Sequence, residues 1–355
     1  MNNRIKALRG SFESENLDGY LVSNGISIRY FTGFLGGSRL LVAKDGIETL
    51  YVSMVNYEAA KEYVKDVDVE LVKMDEDVDK KIIERIKQLR LRCFGFDSMD
   101  ASVYLKFKES LESAEIKPMN SLVWSLRKVK DEEDLKFIKK AADLTSLGMK
   151  RAYEVIKPGL KEQELASEIE YTMRRNGSDG IAFNTIVASG VRSAFPHGGC
   201  SDRKIVKGDI VVVDVGAKYH DYCADLTRTF IIGQLSSKQK TLYNIVISAQ
   251  ESATEKIKAD VKANIVDRAA RDLISEKGYG EYFVHRLGHG IGLEVHEPPT
   301  LSPKSEETLK DGNVVTVEPG LYIPGFGGIR IEDTVLVKKE GREKLTEAPY
   351  TLHVI

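Results

Sequence analysis

No stretch of the chain approaches the ~18 consecutive apolar residues that a membrane-spanning helix needs. The opening segment, MNNRIKALRGSFESENLDGY, lacks the unbroken apolar core of a secretion signal. Cysteine is scarce: Cys93, Cys200 and Cys223 are odd in number, widely scattered and never in CxxC spacing. That excludes a disulfide framework and reads as a protein of the reducing cytoplasm. Neither charge is in excess. Fifty-two basic side chains meet 54 acidic ones, a formal net charge of −2, so neither nucleic acid nor an anionic membrane is an expected partner. Low-complexity tracts and solenoid periods are missing as well.

What the chain does have is a globular composition. Its residues are 42% hydrophobic and 30% charged over 355 positions, too long for one ordinary domain and comfortable for two. Up to about residue 122, helical and strand signals alternate. Ile5, Leu8 and Phe12 share a helical face, DGYLV turns into a strand, and RLLVA and ETLYVS flank the turn KDG. This predicts an α/β domain with a mixed sheet over 1–124. The texture then changes. Leu135, Ile138, Ala142 and Met149 keep helical spacing until Pro158-Gly159 stops the helix. The interleaved charges of KVKDEEDLKFIKK read as a solvated helix face. A second domain, 125–355, is expected to carry helices at about 131–157, 161–176, 238–258 and 264–277. Strands are expected around 184–188, 210–215, 223–232, 314–318 and 329–337.

Within that second domain one segment echoes another. KGDIVVVDVG (207–216) and DGNVVTVEPG (311–320) align without gaps. Each has a glycine turn, a β-branched run and an acid six residues after the glycine, Asp214 or Glu318. Each is followed by a returning strand with a second acid, Asp225 in YCADLTRTF and Glu332 in GGIRIEDTV. A lone acid at a strand end is ordinarily a cap or a salt-bridge partner. Four acids in matching contexts would repel one another strongly, and buried carboxylates are costly unless paired or bound to a metal. Two divalent cations would neutralise all four. Strand periodicity puts Asp225 with Thr227 on one face and Arg330 with Glu332 on another. Asp333 should point away, Asp221 reads as turn chemistry, and Cys223 reads as a neighbour rather than a ligand.

HRLGHGIGLEVHE (285–297) holds three of the six histidines. As a strand it would aim His289 and His296 to opposite sides. As a helix it would align them, but Gly288, Gly290 and Gly292 argue against a helix. Glycines on both sides of His289 let the backbone approach a crowded site, which favours His289 as the ligand. One imidazole among carboxylates suits manganese, cobalt, iron or zinc rather than a thiolate-type structural zinc site. GHGIG and GFLGGSRLL lack the lysine and the helix onset of a phosphate loop.

Together DVGAKYHDYCADLTRTF, HRLGHGIGLEVHEPP, VEPGLYIP and GIRIEDTVLV resemble the motifs of the pita-bread-fold metallopeptidases, the family of prolidase, aminopeptidase P and methionine aminopeptidase. SGVRSAFPHGG resembles the segment that supplies the family's first active-site histidine. The resemblance runs from about residue 126 to the C-terminus. It implies a curved antiparallel sheet with outer helices, and a dinuclear site of Asp214, Asp225, His289, Glu318 and Glu332. Asp225 and Glu332 would bridge two divalent ions, manganese or cobalt foremost, with zinc or iron possible. Asp214 would complete one ion, His289 and Glu318 the other. A water or hydroxide between the ions would attack the peptide carbonyl. Glu318 would take up its proton, and His197 and His296 would stabilise the tetrahedral intermediate. His285, Tyr322 and Arg330 match positions on the substrate side in proline-specific members. Arg330 could hold Asp214, a substrate carboxylate or a purely structural partner. His220 and His353 match no family position and read as surface residues.

An extra N-terminal domain separates prolidase and aminopeptidase P from methionine aminopeptidase, and SNGISIRYFTGF resembles a segment of it. In the family that domain supports a homodimer and partly covers the site. The resemblance therefore implies hydrolysis of the Xaa-Pro bond in dipeptides, or release of the residue before proline from longer peptides. A metal-free creatinase-like hydrolase or a non-catalytic binding module would not require all five ligand positions.

Overall fold

The computed structural model describes residues 3–350 and 352–354, in two units, one ending at Arg127 and the other starting at Lys128. The junction lies inside the helix Asn120–Lys128, so the expected cut at 124/125 falls within a continuous helix. Nothing in VWSLRK breaks a helix, and none of its residues signals the junction.

The first unit is built on strands β1 (Gly19–Val22), β2 (Arg39–Ala43), β3 (Glu48–Ser53), β4 (Asp68–Val72), β5 (Cys93–Phe96) and β6 (Glu115–Pro118). Their order is β4-β3-β2-β1-β5-β6 among the described residues. β1, β2 and β3 pair antiparallel, and the outer strands join in parallel, so the sheet is mixed as expected. Local chemistry sets the helix ends. Asn24 Oδ1 accepts from Ile26 N and Ser27 N to start the helix Gly25–Thr32, and Gly33, at φ 75°, ends it.

The second unit begins with the helix Glu132–Val155, capped by Asp131 in a reciprocal box with Asp134. Helices Glu162–Arg175, Ser237–Glu255 and Ala263–Glu276 follow, each end within three residues of expectation. Its strands in chain order are β7 (Gly180–Ile181), β8 (Ile186–Ser189), β9 (Ile210–Val215), β10 (Ala217–Tyr219), β11 (Tyr222–Cys223) and β12 (Leu226–Ile232). Then come β13 (Gly288–Gly290), β14 (Glu297–Leu301), β15 (Val314–Val317), β16 (Gly320–Ile323), β17 (Gly327–Arg330), β18 (Asp333–Lys338), β19 (Gly341–Lys344) and β20 (His353–Val354).

Two antiparallel ladders form the framework. One runs β20-β12-β9-β8, with Asp214 opposite Thr227, and the other β14-β13-β15-β18-β19, with Val317 opposite Asp333. β20 joins β12 in parallel. On β9 and β12, Val211, Val213, Val215, Leu226 and Phe230 pack with the first two helices of the unit. Val315, Val317, Val335 and Val337 pack with the later two. Alternation therefore turns Asp214 away from the core that Val213 and Val215 help to build.

Two expected strands are interrupted. The run 223–232 breaks at Ala224-Asp225, and 329–337 breaks at Ile331-Glu332. The reason lies in the hydrogen bonds. Asp225 N donates to the Thr334 side chain and Glu332 N to Thr227 O, so both amides leave their local ladders. Asp221 sits in the turn between β10 and β11, where His220 and Asp221 both adopt positive φ, 48° and 69°. His220 is exposed and stacks on Phe137 at 4.6 Å. The side chain of His353 lies outside the described residues.

Candidate metal centre

A cavity of about 450 Å³ in the second unit is lined by all ten residues singled out above: His197, Asp214, Asp225, His285, His289, His296, Glu318, Tyr322, Arg330 and Glu332. Five separate stretches of sequence supply them.

His289 sits at the centre of β13 because its neighbours have no side chains. A Cβ on Gly288 would stand 2.0 Å from Thr316 O, and one on Gly290 would stand 2.3 Å from Pro298 O. The strand is wedged between β14 and β15 at a spacing only glycine permits. The ring is oriented by its own chain. Nδ1 lies 3.0 Å from Gly290 O, and a carbonyl can only accept, so Nδ1 carries the proton. Nε2, the nitrogen left for a cation, then faces the acids, 3.3 Å from Glu318 Oε1 and 3.8 Å from Asp225 Oδ2.

Ligand atoms of Asp225, His289 and Glu332 all lie within 4.8 Å of one another. Among the described residues, Asp214 Oδ1, Asp225 Oδ1 and Glu332 Oε1 are buried and receive no hydrogen bond. Buried oxygens are ordinarily satisfied. Three orphaned oxygens converging beside an imidazole nitrogen fit hard divalent cations with a nitrogen donor. The electrostatics agree. Burial first, and neighbouring carboxylates second, drive Asp225 and Glu332 well above the usual carboxyl range. Such a pair is stabilised by arriving positive charge. Burial would also raise Glu318, but its bond to His289 and the charges of His289, His285 and Arg330 prevail and hold it at about 2.

The two echoing hairpins are laced to each other at this site. Asp225 and Glu332 are each followed two residues later by a threonine, Thr227 and Thr334. Thr227 Oγ1 donates to Glu332 Oε2 at 2.7 Å, and Thr334 Oγ1 donates to Asp225 O at 2.8 Å. Each threonine thus bonds across to the other hairpin, Thr227 at the Glu332 carboxylate and Thr334 at the Asp225 backbone.

Beside the acids a polar chain lines the cavity. Arg330 Nη2 donates to Asp214 Oδ2 at 2.6 Å, and Arg330 Nη1 donates to the Tyr322 hydroxyl at 2.9 Å. Tyr322 in turn lies 3.0 Å from His285 Nε2, whose Nδ1 faces Arg286 O. Burial pushes the Tyr322 hydroxyl up to about 12 and draws His285 down. Of the roles open to Arg330, the structure shows the bond to Asp214.

His296 requires a correction. Strand parity aims it away from His289, yet the two rings meet edge to face at 4.3 Å. Residues 291–296 are irregular, and β13 meets β14 through a bulge between His289 and Gly290, so parity does not apply. His296 and His197 are exposed at the cavity mouth rather than buried with the acids.

Several residues escaped the sequence reading. Arg228 is fully buried, donating to Asp333 Oδ1 and to the backbone carbonyls of Thr227 and Glu332. Lys130, read as part of a solvated face, is buried against Glu297. Glu162 is buried too. The weak signal for Arg228 is that it is the one charged residue of its strand, Leu226–Ile232.

Comparison with known proteins accords with this geometry. The profile of Metallopeptidase family M24 matches residues 136–339, and that of the Creatinase/Prolidase N-terminal domain matches residues 4–129. The Xaa-Pro dipeptidase of Pyrococcus furiosus is 41% identical over 351 residues, spanning 98% of each chain. The solved Xaa-Pro dipeptidase from Bacillus anthracis superposes with a TM-score of 0.94 at 39% identity, covering 99% of both chains. The X-Pro aminopeptidase from Thermotoga maritima gives 0.91 at 37% identity, again over 99% of both. The second unit has the pita-bread fold of these neighbours, and its donor set suits the divalent metal ions of a metallopeptidase. On matches that span both of its units, the chain belongs to metallopeptidase family M24.

Proposed function

We propose that the protein hydrolyses the Xaa-Pro peptide bond of dipeptides. The observation that carries this reading is the convergence of Asp225, His289 and Glu332 on a small cavity also lined by Arg330, Tyr322 and His285. The cavity falls in the size range of small-ligand sites. The dipeptidase name of the relatives from P. furiosus and B. anthracis supports the same choice.

In this reading Asp214, Asp225, His289, Glu318 and Glu332 would hold two divalent cations. Manganese or cobalt suits a set of four carboxylates and one imidazole, and zinc or iron is compatible with it. Bound cations would lower the pKa of the attacking water and polarise the scissile carbonyl. The side chains do the rest. Glu318 takes the proton of the attacking water at a carboxylate oxygen and passes it to the prolyl nitrogen. His197 and His296 donate toward the oxygen on which negative charge develops. Arg330 fixes Asp214, and through Tyr322 it orients His285 toward the substrate. Some neighbouring enzymes favour a second reading, since the T. maritima structure is an X-Pro aminopeptidase.

Turnover of alanyl-proline against Ala-Pro-Yaa-Yaa tetrapeptides, each assayed with manganese and with cobalt, tests the assignment. Faster cleavage of the dipeptide is expected. A strong preference for the tetrapeptide would replace dipeptidase by aminopeptidase. Among the described residues no helix is long and apolar enough to cross a membrane. We propose a homodimer working in the cytoplasm, and light scattering at twice the chain mass would test the assembly.

A further inference from the structure

Glu162 opens the helix Glu162–Arg175, and its side chain is closed to solvent. A carboxylate in a first helical turn is ordinarily explained by the helix dipole. Its partners here lie elsewhere. Oε1 accepts from Ser189 N at 2.8 Å and Ser189 Oγ at 2.6 Å. Oε2 accepts from Ser201 N at 2.9 Å, Ser201 Oγ at 2.6 Å and Arg192 Nε at 3.3 Å. One oxygen therefore holds the start of segment 189–201 and the other holds its end. His197 lies between them.

The grip extends inward. Arg192, bound through Nε to Glu162, donates from Nη2 to Gly198 O at 2.7 Å, on the residue after His197. On the far side Ser193 Oγ accepts from Gly328 N at 2.8 Å, just before β17 delivers Arg330. Five donors on one buried carboxylate compensate its desolvation and leave the segment little freedom.

We infer that Glu162 is a positioning residue for His197, clamping both ends of its segment and setting where the imidazole meets the peptide. The inference rests on the role proposed for His197 above. Glutamine has the same shape but carries two donors on one end. Whichever way it turns, its NH₂ faces donors at Ser189 or at Ser201 and Arg192, and one end of the segment is released.

The test is a double-mutant cycle on the metal-loaded enzyme with alanyl-proline: wild type, Glu162→Gln, His197→Ala and the double variant, each with metal content measured. Glu162→Gln should lower kcat/KM roughly 10- to 100-fold, mostly through kcat. Metal content should not change, and the double variant should be no slower than His197→Ala alone. If the two losses multiply, or if Glu162→Gln turns over like wild type, the clamp is wrong while the role of His197 stands. If His197→Ala is itself fully active, the role of His197 fails and the clamp with it. Should Glu162→Gln not fold, Ser201→Ala removes one donor and keeps the backbone bond. It should cost a smaller part of kcat in the wild type and nothing in the His197→Ala background, and multiplying losses there would overturn the inference.

Discussion

Lys130 Nζ lies 3.0 Å from Glu297 Oε2, with the two side chains only 2% and 1% exposed. The other oxygen of Glu297 accepts from Glu294 N at 3.1 Å. The ion pair thus folds the chain on itself beside His296, and a lysine from before the first long helix of the unit supports one wall of the site.

Removing one partner of such a pair leaves the other charge buried and uncompensated, at a cost of about 3–5 kcal/mol. Lys130→Met should therefore lower the urea midpoint markedly. Pairing it with Glu297→Leu should recover much of the loss. A single variant within about 1 kcal/mol of wild type, the usual worth of an exposed pair, would show that Glu297 is not dependent on Lys130.

Gly288→Ala places a methyl group where Thr316 O already stands. The strand must shift, at a cost of about 1–3 kcal/mol for overpacking, and His289 moves with it. Calorimetry should record weaker binding of manganese as well as a lower Tm. Gly278→Ala, at a glycine with open space but φ 82°, should affect Tm alone.

Asp225→Asn removes an anion from the point where the two hairpins meet. It should abolish turnover and reduce bound metal while far-ultraviolet dichroism stays unchanged. His296→Ala should slow turnover with metal content intact. Elemental analysis of both proteins checks the division, and a stoichiometric loss of metal from His296→Ala would sink it.

Acid should weaken the Glu162 clamp. Burial by itself would raise this carboxyl, but the bonds from Ser189 and Ser201 and the charge of Arg192 prevail, and its pKa is lowered. A lowered folded pKa means that ionised Glu162 contributes stability above the ordinary glutamate range, near 4.3. That contribution is lost as pH falls through the lowered value. The stability difference between wild type and Glu162→Gln should hold steady at neutral pH and shrink below about pH 4. Denaturant titrations at several pH values measure it, and a difference independent of pH would contradict the sign.

The histidine and the acids of the site were legible because their contexts were extreme. Glycines beside His289 exclude helix and demand close backbone approach, and the two echoing runs end in acids at matching steps. Both signals are local. Lys130 and Glu162 were not legible for the opposite reason. Each sits among interleaved charges where a solvated face is the economical reading, and its burial depends on partners 167 and 27–39 residues away. Strand parity separated Asp333 from Glu332 correctly, since Asp333 turns to Arg228 and Gln250. The same rule misplaced His296, which is separated from His289 by a bulge and the irregular segment 291–296.

The reciprocal threonine bonds between the two hairpins have a mechanical consequence. Neither hairpin owns a complete set of donors, so a cation held by Asp225 and Glu332, as proposed, would act as a rivet through a seam already stitched by Thr227 and Thr334. Metal loading then tightens the join between the halves, and free energy of binding becomes resistance to unfolding. Chelation should loosen the seam first, at the place where the two strands are already interrupted.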